Sequence, residues 1–69
     1  MKIAENLVAL RKKRGLSQVA VAHLLDISER TYQNYEYGER IPPLLTAIAL
    51  ADLYDVALDE LVGRERKVI

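Results

Sequence analysis

Apolar residues recur at intervals of three and four along the chain, and no stretch alternates with the period of two that a half-buried strand requires. The pattern predicts five helices. The first covers about residues 2–14, with Ile3, Leu7 and Leu10 on one face. The second follows from Ser17 to about residue 25, with Val21 and Leu25 inward and Ala22 small enough to admit a neighbouring helix. The third has a core stripe at Tyr32, Tyr35 and Glu36 and an opposite face of Arg30, Thr31, Gln33 and Asn34. A fourth helix over about residues 44–54 offers Leu44, Ala47, Ile48, Ala51 and Tyr54 to the core. A short fifth over residues 58–62 offers Leu58 and Leu61, with Val56 just before it.

Stop and start signals punctuate these runs. Gly15, Gly38 and Gly63 each follow a predicted helix, where a left-handed residue closes the last turn. Leu16 then returns to the core. Ser17 and Ser28 are N-caps, and Glu29 places a negative charge in the first turn of the third helix. Asp26 occupies the turn between the second and third helices, and Ile27 is its expected buried residue. Pro42 and Pro43 stiffen the loop before the fourth helix.

At 69 residues the chain makes one domain, expected over residues 1–63, with residues 64–69 as a short charged tail. It contains no cysteine and one histidine, His23, so thiolate chemistry is excluded and neither a metal site nor a bound cofactor is expected. The longest apolar run is too short to span a bilayer and the start lacks a secretory stretch, which predicts a cytoplasmic protein. An enzyme is not expected: no nucleophile–base pair and no glycine-rich phosphate loop can be read.

Ten basic and ten acidic side chains give zero net charge, so distribution carries the information. Residues 1–40 hold seven basic and five acidic side chains, whereas residues 41–63 hold four acids and no base. Arg11, Lys12, Lys13 and Arg14 form a basic last turn in the first helix, read either as a patch for a polyanion or as a solvated helix end.

The third helix carries the chemistry. Its outward face presents a guanidinium and amides, the groups suited to base edges in the major groove of double-stranded DNA. Arg30 can donate two parallel bonds to guanine or touch phosphate. Asn34, one turn further on, can pair with adenine. Thr31 can meet a thymine methyl or a phosphate, and Gln33 lies to the side, where a backbone contact is expected. Glu29 can accept from cytosine or serve only the helix start. Tyr37 can reach phosphate or cap the helix.

Several residues recur in a known order: Leu10-Arg11, Gly15-Leu16-Ser17-Gln18, Ala22, Leu25, Ile27-Ser28, Thr31, Glu36, Gly38 and Pro42, followed by Leu58-Asp59-Glu60-Leu61. In this conjunction the chain resembles the lambda-repressor-like helix-turn-helix family, of the Cro and phage-repressor type also called XRE, over residues 3–63. The resemblance implies an all-α, five-helix DNA-binding domain with the helix-turn-helix at helices two and three. It implies that Gln18 and Arg40 approach phosphates, that Ser28, Glu29, Arg30, Gln33 and Asn34 face the groove, and that Arg11 and Glu36 form a buried structural ion pair. The chain departs from the family where Asp26 replaces a glycine, where Tyr32 and Tyr35 replace aliphatics, and where Ala57 replaces a capping serine. It also departs at Val8, Val19, Leu24 and Leu45, which replace polar residues.

The expected function is sequence-specific transcriptional regulation, as a repressor binding a palindromic operator as a homodimer with the third helix in the major groove. Leu45, Val62, Val68 and Ile69 are the candidate dimer contacts. The alternative is an antitoxin or anti-repressor that binds a partner protein such as a toxin, using Val8, Val19 and Leu24.

Overall fold

The computed structural model of the chain describes residues 2–64. Five helices and no strand occur among them: α1 Ile3–Lys13, α2 Gln18–Leu24, α3 Glu29–Glu36, α4 Leu44–Leu53 and α5 Leu58–Val62. Residues 65–69 of the tail, with the proposed contacts Val68 and Ile69, lie outside the described residues.

Each helix contributes to a single core. Ile3 and Leu7 come from α1, Val21 and Ala22 from α2, Tyr32 and Tyr35 from α3, Ala47, Leu50 and Ala51 from α4, and Leu61 from α5, with Tyr54 just beyond α4. The helix α1 packs on both α3 and α5, α2 on α3, and α4 on α5. Leu10, Leu16, Leu25, Ile27, Val56, Leu58 and Val62 close the edges as half-buried residues. Ile27 is therefore an edge residue of its turn rather than a fully buried one.

The inward face of α4 keeps Ala47, Ala51 and Tyr54 as expected and differs at the other positions. Leu44 and Ile48 are exposed, whereas Leu50 is fully buried. In the run LLTAIALADL only Thr46 and Asp52 are polar, so periodicity alone cannot choose a face. Packing against α5 selects Ala47, Leu50, Ala51 and Tyr54. The apolar residues displaced from the core, with Ile41 and Leu45, form an exposed stripe at positions 41, 44, 45 and 48.

All five helices end on a residue in the left-handed region: Gly15, Asp26, Gly38, Asp55 and Gly63. Asp26 has φ 55° and Asp55 φ 54°, a conformation that non-glycine residues adopt at a cost. In both aspartate turns the next residue folds back. The Ile27 N–H donates to the Ala22 carbonyl and the Val56 N–H to the Ala51 carbonyl, each at 3.0 Å. At Gly63 close packing adds to the φ constraint, because a Cβ there would lie 3.1 Å from the Lys2 Cβ. That close approach joins the ends of α1 and α5. The Lys2 N–H donates to the Val62 carbonyl at 3.0 Å, and the Asn6 side-chain amide donates to the Glu60 and Leu61 carbonyls, both at 3.1 Å.

Candidate nucleic-acid interface

The helix-turn-helix is assembled around one carboxylate. Glu36 lies on the inner face of α3 and its side chain is almost wholly removed from solvent. Arg11 reaches it from α1 with two parallel bonds, Nε to Oε2 at 2.6 Å and Nη2 to Oε1 at 3.1 Å. The remaining guanidinium arm donates to the Leu16 carbonyl at 3.0 Å, which fastens the α1–α2 turn to the same centre. Gln18 adds an amide bond from α2, Nε2 to Glu36 Oε1 at 3.1 Å. Burial would raise the Glu36 carboxyl. Hydrogen bonds from Arg11, Tyr32 and Gln18, with the Arg11 charge, more than offset that and hold it below its ordinary value. The expected Arg11–Glu36 pair is present, and Gln18 is drawn into it.

Below this centre sits a pair of hydroxyls. Tyr32 and Tyr54 meet at 2.7 Å, both buried. Burial raises both phenols, so neither ionises near neutrality. The two hydroxyls lie in the interior because each is the other's hydrogen-bond partner, which offsets the penalty for leaving water. Helical periodicity marked Tyr32 and Tyr54 as core residues but carried no signal that they would touch.

The outward face of α3 begins with its cap. Ser28 Oγ accepts the Thr31 N–H at 3.0 Å and lies 2.7 Å from Thr31 Oγ1, so these two hydroxyls are already engaged with each other. Gln33 uses both N–H groups of its amide, donating to Gln18 Oε1 at 3.2 Å and to Glu29 Oε1 at 3.0 Å. Arg30 is exposed, and among the described residues its guanidinium has no hydrogen-bond or ion-pair partner. Asn34 is half-buried, and its backbone carbonyl accepts the N–H groups of Glu39 at 3.0 Å and Arg40 at 3.2 Å, folding the next loop onto the end of α3. Tyr37 caps the helix with its side chain exposed, and Arg40 is exposed in that loop. Ser28, Glu29, Arg30, Thr31, Gln33 and Asn34 thus share one short helix with its cap, flanked by Tyr37 and Arg40.

The basic end of α1 does not remain a four-residue patch. Arg11 is committed to Glu36, and the Arg14 Nη2 donates to the Tyr54 carbonyl at 2.8 Å, closing the last turn of α4. Only Lys12 and Lys13 of that run stay exposed and unpaired among the described residues. The acceptor for Arg14 is a carbonyl 40 residues away, a contact that local sequence cannot reveal.

The apolar surface is also redistributed. Val19 and Leu24 are exposed on α2 as expected, but Val8 is half-buried. Leu45 is 80 % exposed, whereas Val62 packs against the core. The α4 stripe borders an open groove lined by Ile41, Pro42, Leu44, Leu58 and Val62. Among the described residues, no helix is long and apolar enough to cross a membrane.

Comparison with known proteins agrees with this geometry. The sequence profile of the helix-turn-helix family matches residues 7–61. The chain is 46% identical over 63 residues to the HTH-type transcriptional regulator AnsR of Bacillus subtilis, covering 91% of this chain and 54% of the relative. It is 38% identical over 64 residues to the cryptic phage CTXphi transcriptional repressor RstR of Vibrio cholerae, covering 93% of this chain and 57% of the relative. The chain therefore spans about half the length of the curated relatives it matches. A crystal structure of a transcriptional regulator from Listeria innocua has a TM-score of 0.88 and 39% identity, covering 97% of this chain and 63% of that one. These relatives are named as transcriptional regulators or repressors, and the five-helix fold of this chain matches that of the Listeria regulator over 63% of its length.

Proposed function

We propose, from the premise that the chain belongs to the helix-turn-helix family of the Cro and phage-repressor type, that it is a sequence-specific DNA-binding transcriptional regulator acting as a repressor. The observation that carries this reading is a rigid mount beneath a free polar face. Arg11, Gln18 and Glu36 lock α1, α2 and α3 together, while Arg30 stands exposed at the start of α3 and unpaired among the described residues. A preorganised reader loses less side-chain and segment entropy on binding than a mobile one.

Insertion of α3 into the major groove would present Arg30 to guanine O6 and N7 and Asn34 to adenine, with Thr31 and Gln33 between them and Ser28 and Glu29 just before. Phosphate contacts would come from the second N–H of the Gln18 amide, from Arg40, and from the Tyr37 hydroxyl. With zero net charge, a single copy gains little from phosphate neutralisation. Two copies on half-sites about 34 Å apart would provide the rest, which implies a palindromic operator and a homodimer. The exposed stripe of Ile41, Leu44, Leu45 and Ile48 supports self-association, because a contiguous apolar patch is the usual mark of a protein contact. The cytoplasm is the compartment consistent with this role.

Selection of bound duplexes from a random library tests the reading. Wild type should enrich a palindrome, and Arg30→Ala and Asn34→Ala should relax it at different positions. No enrichment by folded protein would overturn it. Leu45→Glu should halve the sedimenting mass without unfolding the chain. The exposed Val19 and Leu24 favour a second reading, an antitoxin or anti-repressor that holds a protein such as a toxin on α2. Co-purification of a partner that Val19→Glu and Leu24→Glu abolish would establish it.

A further inference from the structure

The hydrogen-bond network fixes which atoms Gln33 has left to offer. Glu36 is held ionised, so it only accepts, and the Gln18 amide must turn its nitrogen toward it. The other atom of that amide, Gln18 Oε1, then faces Gln33 and requires a donor. Gln33 supplies it with Nε2 and gives its second N–H to Glu29, another acceptor-only group. Two carboxylates thus set the orientation of both amides, with no freedom to flip either. The carbonyl oxygen of Gln33 has no partner among the described residues. No buried side-chain oxygen or nitrogen lacks a partner among them, so this half-buried residue's oxygen reaches solvent.

We infer that Gln33 is a specificity-determining residue that reads the exocyclic amino group of a base, adenine N6 or cytosine N4, through its carbonyl oxygen alone. A glutamine with free donors pairs with adenine through N6 and N7 together. Gln33 has no donor to spend on N7, on guanine O6 or on a phosphate oxygen. The backbone contact expected for it from sequence has no hydrogen to make it with, whereas a single acceptor aimed out of the helix matches the only donors a base edge presents in the major groove. Glu29 and Gln18 therefore act as positioning residues that convert Gln33 from a two-way reader into an acceptor.

This inference rests on the proposed function, and the test separates the two. The base pair governed by Gln33 is found as the position whose preference relaxes in a selection with Gln33→Ala. At that pair, atoms are deleted one at a time in synthetic duplexes: N6 with purine, N7 with 7-deazaadenine or 7-deazaguanine, O6 with 2-aminopurine, and N4 with pyrimidin-2-one. Losing the amino group should weaken wild-type binding on the order of tenfold and leave Gln33→Ala unchanged. Losing N7 or O6 should be silent in wild type. In Glu29→Ala, which returns one N–H to Gln33, the same N7 or O6 deletion should acquire a cost. Loss of affinity on N7 or O6 deletion in wild type, or no loss on amino deletion, overturns the inference. So does an operator that Gln33→Ala reads unchanged, which leaves the proposed function standing. Failure of wild type to enrich any sequence overturns both.

Discussion

The α2–α3 and α4–α5 junctions share one backbone and differ in what their second helices carry. Each ends its first helix on an aspartate in the left-handed region, folds the next apolar residue back onto an alanine carbonyl, and restarts a helix after one extended residue. The residues correspond at a constant offset: Ala22, Asp26, Ile27 and Ser28 against Ala51, Asp55, Val56 and Ala57. Yet α3 has eight residues, a side-chain cap and an open polar face, while α5 has five residues, an uncapped start and two acids in its first turn. Its last carbonyls are tied to Asn6 and Lys2. In the proposed function the first unit is the reader, while the second clamps α1. The turn geometry is therefore a general way to stop one helix and start another, and the proposed function resides in side chains grafted onto it.

The largest expected effect separates the units at Glu36, which has no counterpart in α4–α5. A domain of 69 residues is stable by about 3–10 kcal/mol. Removing one half of a buried ion pair costs about 3–5 kcal/mol, because the other charge stays buried. Glu36→Ala should take away about 3–5 kcal/mol, a third or more of that stability, as read by the urea midpoint, whereas Arg11→Met with Glu36→Leu should recover much of the loss. Because the folded Glu36 carboxyl is held below the ordinary value of 4.5, its contribution is fully present above that pH. It is lost as pH falls through the folded value. Wild type should lose this stability in acid, and the double variant should lack that part of the acid limb. Equal acid sensitivity in the two would remove Glu36 as its source.

Next in size are the tyrosines that join the units. Tyr32→Phe leaves the buried Tyr54 hydroxyl without its partner and removes a group that helps hold the Glu36 carboxyl ionised, and should cost about 1–3 kcal/mol. Tyr54→Phe removes only the bond between the two hydroxyls and should cost about 1 kcal/mol. Unfolding curves of the two single variants and the double variant measure the coupling between them. A cost from Tyr54→Phe as large as that from Tyr32→Phe would break the ordering.

The helix starts offer a reciprocal exchange. Ser28→Ala should destabilise by about 0.5–2 kcal/mol through loss of the bond to the Thr31 N–H. Ala57→Ser should stabilise by up to about 1 kcal/mol, because Ala57 already has the extended backbone of a cap, φ −68° and ψ 151°. Opposite signs in urea titrations would sharpen the comparison. A neutral Ala57→Ser would mean that the α5 N–H groups are satisfied without a cap.

The legibility of the two units in sequence differs for the same reason. The α2–α3 unit was readable because each element carries its own local signal: Ser17, Asp26, Ser28 and Gly38, with Tyr32, Tyr35 and Glu36 at helical spacing. Its outer face followed directly, and the Arg11–Glu36 pair followed from family resemblance. On α4 the buried Ala47, Ala51 and Tyr54 follow from the pattern, but Leu44, Ile48 and Leu50 do not, because a helix apolar on nearly every side is oriented by its neighbours rather than by its own pattern. The Tyr32–Tyr54 contact, the Arg14 cap on α4 and the Asn6 clamp on α5 join residues 22, 40 and at least 54 positions apart. Such contacts depend on the assembled fold. The donors of Gln33 became countable only when Gln18 and Glu29 were both in place.

The smallest expected effect tests whether the two turns are physically equivalent. A left-handed residue other than glycine costs about 1–2 kcal/mol, with aspartate less disfavoured when its carboxylate bonds locally. No side-chain hydrogen bond holds Asp26 or Asp55 among the described residues, so neither has that relief. Replacement by glycine removes the steric cost but adds about 0.5–1 kcal/mol of backbone entropy lost on folding. The steric term is the larger, so Asp26→Gly and Asp55→Gly should each stabilise the protein, by less than about 1 kcal/mol. Their φ angles differ by one degree, and the two shifts in urea midpoint should agree within error. If Asp26→Gly gained markedly less than Asp55→Gly, the α2–α3 aspartate would have a stabilising interaction of its own, and the reader and the clamp would differ in their turns as well as in the helices that follow.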